Sequence, residues 1–118
     1  MSLFVFGDFR SDSGLLLTWK INCDALTPDD WRTIAAVSAE RLPGFGAVVG
    51  VPRGGLALAR EMGQYATSGP TLVVGDVWTT GGSMRRAAAS VGWPWLGLVA
   101  FAGRMLPPYV YAFMRSWS

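Results

Sequence analysis

Three short apolar runs limit the fold of this chain more than any other feature: "GAVVGV" at 46–51, "TLVVGDV" at 71–77 and "WLGLVAFAG" at 95–103. Each is too short for a helix and lacks polar–apolar alternation, the pattern of strands buried on both faces. Between them the periodicity becomes helical. Leu58, Met62 and Tyr65 share a face within about 56–66, and Met84, Ala87, Ala88 and Val91 recur at i, i+3, i+4 and i+7. Ahead of the first run, Thr27 can cap a helix with Pro28 at its first position and Asp29 and Asp30 at its positive end. Trp31, Ile34, Ala35, Ser38 and Leu42 then form one stripe before Pro43-Gly44 stops it. This alternation predicts an α/β fold: a small, doubly wound parallel-sheet domain with right-handed crossovers and helices on both faces. Ligands of such domains sit beyond the carboxyl ends of the strands.

The flanks add two strands. "GLLLTWKIN" at 14–22 reads as one. In "MLPPYVYAFMRSW" at 105–117, Tyr109, Tyr111, Phe113 and Trp117 fall at alternating positions, as in an edge strand with an aromatic face. That face packs on the core or a partner, or stacks on a nucleobase.

The chain has 118 residues, 51% hydrophobic and 15% charged, which predicts one compact domain over 1–118. The longest nearly uncharged stretch, 90–103, is interrupted by Pro94 and falls short of the roughly 20 apolar residues of a spanning helix, so no membrane partner is expected. Asp8, Arg10 and Asp12 precede any long apolar segment, unlike a secretory signal, and the expected location is cytoplasmic. Cys23 is the only cysteine and histidine is absent, which excludes an intramolecular disulfide, Cys/His zinc sites and a histidine base. The net charge is +2 and the basic residues are scattered apart from Arg85-Arg86, so nucleic acid is not an expected partner. Six tryptophans fit either a filled core or the interface of a homodimer.

Two Gly-rich turns occupy the ligand-binding position of the fold. "PRGG" at 52–55 follows the first buried run, and "DVWTTGGS" at 76–83 follows the second. In the second turn, Gly81 and Gly82 let backbone N–H groups converge on an anion, Thr79, Thr80 and Ser83 add hydroxyls, and a new helix contributes its positive end. Such a cradle suits a phosphate monoester. Asp76, just before it, is placed to accept hydrogen bonds from sugar hydroxyls. Arg53 offers a planar guanidinium beside exposed amides, matched to a second phosphate. The competing readings are a plain helix cap for 79–83 and an ordinary tight turn for 52–55. Trp78 reads equally as a base platform or an interface residue.

"LVVGDVWTTGGSM" resembles the phosphoribosyl-pyrophosphate (PRPP) signature of type I phosphoribosyltransferases, and "VVGVPRGGLALA" at 48–59 is similar to the same family's pyrophosphate loop. "SGLLLTWKINCDALTPDDW" resembles, more faintly, the N-terminal part of orotate-type members. The resemblance implies that Thr79, Thr80, Gly81, Gly82 and Ser83 hold a ribose 5-phosphate. Asp76 would bind the ribose hydroxyls as the catalytic-site carboxylate, and Arg53 with the amides of Gly54 and Gly55 would meet pyrophosphate. It further implies Mg2+ bridging ligand oxygens, bound through PRPP and through Asp76 if through any side chain. It also implies a cis peptide bond around Pro52–Gly55, and displacement of pyrophosphate by a nucleobase at the anomeric carbon.

Two departures stand out. Gly75 replaces the first of the family's two adjacent acids, so Gly75→Asp is expected to restore ribose affinity. Between Gly55 and Leu72 there is room for one helix and a turn, so the strand pair that carries the family's mobile lid is expected to be missing. These departures are why a second reading accompanies transfer: a catalytically inactive sensor or regulatory module for PRPP or a nucleoside monophosphate.

Overall fold

The computed structural model of the chain describes residues 4–10, 16–21, 23–78, 80–103 and 106–115. In chain order these form β1 (Phe4–Arg10), β2 (Leu16–Ile21), α1 (Pro28–Arg41), β3 (Val48–Gly50), α2 (Leu56–Met62), β4 (Thr71–Trp78), α3 (Gly82–Ala89), β5 (Trp95–Ala102) and β6 (Val110–Arg115). Strands β1 and β2 pair antiparallel as a separate two-stranded sheet, Phe4 opposite Ile21 and Arg10 opposite Leu16. The main sheet is parallel throughout in the order β3-β4-β5-β6, with Val48 opposite Leu72, Thr71 opposite Trp95 and Gly97 opposite Val110.

Helix α1 begins as its sequence requires. The Thr27 hydroxyl accepts from the Asp30 N–H at 3.2 Å, and the Asp30 carboxylate accepts from the Thr27 N–H at 2.8 Å, a reciprocal capping box with Pro28 at the first position. The helix buries Trp31, Ile34, Ala35 and Ser38, the stripe read from the sequence, with Leu42 partly buried beside them. Helix α2 buries Leu58 and Met62 and gives way to a 3-10 turn at Gly63–Tyr65.

Strand alternation divides the core into two layers. Leu72 and Val74 of β4 and Leu98 and Ala100 of β5 pack with α1 and α2. Val73, Val99 and Val110 pack on the other side with Met84 and Ala88 of α3. Strands β4 and β5, buried on both faces, carry no alternation for that reason, whereas β3, read from the sequence as equally buried, is a half-buried edge strand.

The crossovers correct one expectation. The chain steps from β3 to β4 through α2, from β4 to β5 through α3, and from β5 to β6 through the short return at 103–109, always in the same direction across the sheet. Leu106 and Tyr109 of the return pack in the α3 layer, whereas α2 packs in the opposite layer. The crossover through α2 therefore has the opposite hand to the two that follow it, and all three cannot be right-handed.

The expected strand at 14–22 is β2, with residues 14, 15 and 22 outside the described set; its partner β1 was not anticipated. The expected edge strand near the C-terminus is β6. Tyr111 and Phe113 pack on the α1 layer and Tyr109 on the α3 layer, the core-packing reading of the aromatic tail, while Trp117 lies outside the described residues. The Arg41 guanidinium lies 5.8 Å from the Phe113 ring centroid and donates to the Phe113 carbonyl at 3.0 Å, tying α1 to the edge strand. No strand lies between α2 and β4, whose connection is residues 63–70. No helix among the described residues is long and apolar enough to cross a membrane.

Candidate functional site

Because β3 and β4 are adjacent and parallel, the loops that leave them open on the same edge of the sheet. Because α2 and α3 then go to opposite faces, the loops diverge and leave a crevice between the two carboxyl ends. Open α/β sheets bind ligands outside the carboxyl ends of their strands.

The first wall is residues 51–55. The Val51 N–H donates to the Val74 carbonyl at 2.7 Å, continuing the β3–β4 ladder by one residue before the chain turns. The Pro52–Arg53 peptide bond is cis, within the stretch where the resemblance placed one. Arg53 is exposed, and among the described residues its guanidinium has no hydrogen-bond or ion-pair partner. Gly55 departs from the role implied for it. Its N–H donates to the Val51 carbonyl at 2.9 Å, so it is not directed toward a ligand. A Cβ at Gly55 would overlap the Val74 carbonyl oxygen and lie 2.9 Å from Gly75 Cα. Gly55 thus serves close packing of the loop against β4, and Gly54 is left as the glycine amide available to an anion.

Asp76, half-buried at the end of β4, joins the two walls. Its Oδ1 accepts from the Val77 N–H at 2.8 Å. The rest of the carboxylate lies against Gly54, where an added Cβ would overlap Cγ and Oδ2 and stand 3.0 Å from Oδ1. Glycine at 54 is what admits the carboxylate. A side-chain acceptor fixed this way beside an anion loop suits ligand hydroxyl groups, which donate to it.

The second wall is the turn into α3. Thr79 lies outside the described residues; Thr80, Gly81, Gly82 and Ser83 are placed consecutively from the end of β4 into the first turn of α3. Gly81, at φ +85°, is in the left-handed region, and the Arg85 N–H donates to its carbonyl at 2.9 Å as the helix begins. The helix directs its first N–H groups beyond its N-terminus, onto whatever sits in the turn. Trp78 is neither a base platform nor an interface residue. It is 4% exposed and packed in the α3 layer, its ring so close under Gly81 that a Cβ there would overlap it.

Two residues that the sequence reading did not assign to the site belong to this wall. Arg85 donates from Nη1 to the Thr80 carbonyl at 2.8 Å, with its Cζ 5.1 Å from the Trp78 ring centroid. Arg86 donates from Nη2 to Ser83 Oγ at 3.3 Å. Both guanidinium groups lie at the positive end of α3, where a helix disfavours cations, and neither has a carboxylate partner among the described residues. The signal was present in the sequence as two arginines one residue after Gly-Gly-Ser, without the acids that usually open a helix.

Position 75 also corrects an expectation. A Cβ on Gly75 would point at Met84 Cε, 3.3 Å away, Val99 Cγ1 at 3.6 Å and Val51 Cγ2 at 4.0 Å. An aspartate at this position starts in the apolar α3 layer rather than in the crevice, so Gly75→Asp is no longer expected to restore ribose affinity.

The architecture is that of the type I phosphoribosyltransferase fold, with four parallel strands, three helices and a separate two-stranded sheet. Two solved structures carry the comparison. A UMP synthase from Leishmania donovani superposes with a TM-score of 0.75 at 17% identity, over 96% of this chain and 33% of that one. An orotate phosphoribosyltransferase from Aeropyrum pernix superposes with a TM-score of 0.71 at 18% identity, over 96% of this chain and 88% of that one. The chain therefore spans a third of the synthase and most of the orotate phosphoribosyltransferase. No family model and no curated protein sequence matches the chain. At these identities the likeness defines the fold, and the chemistry has to come from the residues in the crevice.

Proposed function

We propose that this chain binds magnesium PRPP in the crevice between β3 and β4 and transfers its ribose 5-phosphate to a nucleobase of the orotate kind, releasing pyrophosphate. The observation that carries this reading is the contact of the Asp76 carboxylate with Gly54, which puts a hydroxyl acceptor between an arginine-bearing anion loop and a helix N-terminus. One sugar with a phosphate at each end matches that order of groups. Thr79, Thr80, Gly81, Gly82 and Ser83 surround the 5-phosphate, Asp76 accepts from the ribose 2- and 3-hydroxyls, and Arg53 with the Gly54 amide meets the pyrophosphate.

The donor set fits Mg2+ of one particular kind. The described residues contain no group of three or more His, Cys, Asp or Glu side chains that could hold a metal, and Asp76 is the carboxylate beside Gly54 at this site. Magnesium keeps few protein ligands and takes the rest from phosphates and water. When bound, it would neutralise charge on the departing pyrophosphate. In the transfer, a ring nitrogen of the base forms a bond to the anomeric carbon as the bond from that carbon to pyrophosphate oxygen breaks, the electron pair leaves with pyrophosphate, and the proton of the ring nitrogen passes to solvent. Arg53 steadies the growing negative charge there, and Asp76 holds the ring by its hydroxyls while the anomeric carbon carries cation character.

Calorimetric titration with magnesium PRPP, followed by pyrophosphate release with orotate, uracil, guanine, hypoxanthine and xanthine, tests the reading. Saturable binding weakened by Arg53→Ala and Asp76→Asn, with release for one base, is the expected result. No binding at millimolar ligand, with both variants indistinguishable from the parent, refutes it.

A further inference from the structure

We infer that Arg85 is a positioning residue for the phosphate turn: it braces the 80–82 backbone against Trp78 and so sets the geometry in which a phosphate is bound. The inference deepens the proposed function and rests on its assignment of this turn to a 5-phosphate. Three contacts converge on the turn. From below, the buried Trp78 ring fills the space a side chain at 81 would need. Beside that ring, the Arg85 guanidinium lies 5.1 Å from its centroid. From there Arg85 Nη1 reaches the Thr80 carbonyl at 2.8 Å, short enough for a charge-assisted bond.

A side chain on an α-helix leans toward the helix N-terminus, so a long residue at the fourth helical position reaches the loop that precedes the helix. Arg85 occupies that position in α3, and its reach ends on Thr80. Tying down the Thr80 carbonyl fixes the peptide plane between Thr80 and Gly81, and with it the direction of the Gly81 N–H. An anion cradle depends on such directions being set before the ligand arrives. Lysine can supply the charge at this position but not the flat group that stacks on indole while donating along its own plane.

The test is amide hydrogen exchange read residue by residue without ligand, together with titration by ribose 5-phosphate and, separately, by magnesium pyrophosphate. In Arg85→Met, exchange at Thr80, Gly81 and Gly82 is expected to accelerate about tenfold or more, while β4 and β5 keep parental protection. Ribose 5-phosphate affinity is expected to fall about tenfold, as for a lost charge-assisted contact, and pyrophosphate affinity to stay unchanged. Arg85→Lys should lie between, and Arg60→Met, which removes an equal charge from α2, should match the parent. Parental exchange at 80–82 in Arg85→Met overturns the brace, and faster exchange with undiminished ribose 5-phosphate affinity overturns its role in binding. If the parent binds neither probe, the proposed function fails and the positioning role fails with it, while the exchange arm still decides whether the brace exists.

Discussion

Adding one methyl group at Gly54 is the sharpest probe of the crevice, because it strikes the carboxylate that joins the two walls. The new Cβ would overlap Asp76 Cγ and Oδ2 and lie 3.0 Å from Oδ1, so the carboxylate has to move. Its Oδ1 is held by the Val77 N–H at 2.8 Å, so moving it forfeits that bond. A hydrogen bond to a charged group contributes about 1.5–3 kcal/mol, and overpacking costs about 1–3 kcal/mol. Since the loop and the half-buried side chain share the adjustment, Gly54→Ala is expected to destabilise the domain by about 2 kcal/mol. In an Asp76→Ala background the obstacle is gone, and the same methyl is expected to cost less than about 0.5 kcal/mol, the scale at which independent sites add. The stabilisation that alanine gains by restricting the unfolded chain is common to both backgrounds and cancels from the comparison. Urea unfolding of the parent, both single variants and the double variant at 25 °C closes the cycle, with unchanged m-values as the control. A coupling of about 1.5 kcal/mol or more is expected, and equal costs of Gly54→Ala in the two backgrounds would refute the contact and the site built on it.

The other predictions concern the layers around the crevice. Gly75→Ala should be tolerated within about 1 kcal/mol by a small shift of the Met84 methyl, whereas Gly75→Asp should cost several kcal/mol in thermal or urea unfolding because its carboxylate enters the α3 layer unpaired. Equal stability of the two variants would show that position 75 faces the crevice after all. Gly81→Ala combines a positive φ with overlap on Trp78 and should destabilise by about 2–4 kcal/mol, measured the same way. Leu58→Ala, emptying a fully buried site between α2 and the sheet, should cost about 2–5 kcal/mol in urea unfolding without weakening binding by the α3 turn.

Much of the fold was legible because its signals are local. Thr27-Pro28-Asp29-Asp30 announces a helix start by side-chain chemistry within one turn, and the buried runs at 71–78 and 95–102 announce a two-faced sheet by the absence of alternation, whereas the run at 46–51, equally free of alternation, forms a half-buried edge strand. The two glycine-rich turns could be placed on one edge because parallel strands leave no other arrangement. What escaped depended on the exact course of the backbone through each loop, which residue types alone do not encode. Nothing near Gly55 indicates that its amide turns back to Val51, and nothing near Trp78 indicates that its ring lies beneath Gly81. The hand of the α2 crossover is likewise a property of the strand order, which no single segment encodes. Arg85 and Arg86 were seen as a charged pair, but their link to the turn comes from the backward lean of helical side chains.

That odd-handed step through α2 tells an engineer where the scaffold has a vacancy. A strand entering on the outer side of β3 after α2 would give this step the same hand as its two successors, and β3 is an edge strand of the main sheet. A hairpin spliced in between Ala66 and Pro70 would have that margin to dock against, and from there its tip could fold over the mouth beside Arg53 and Asp76.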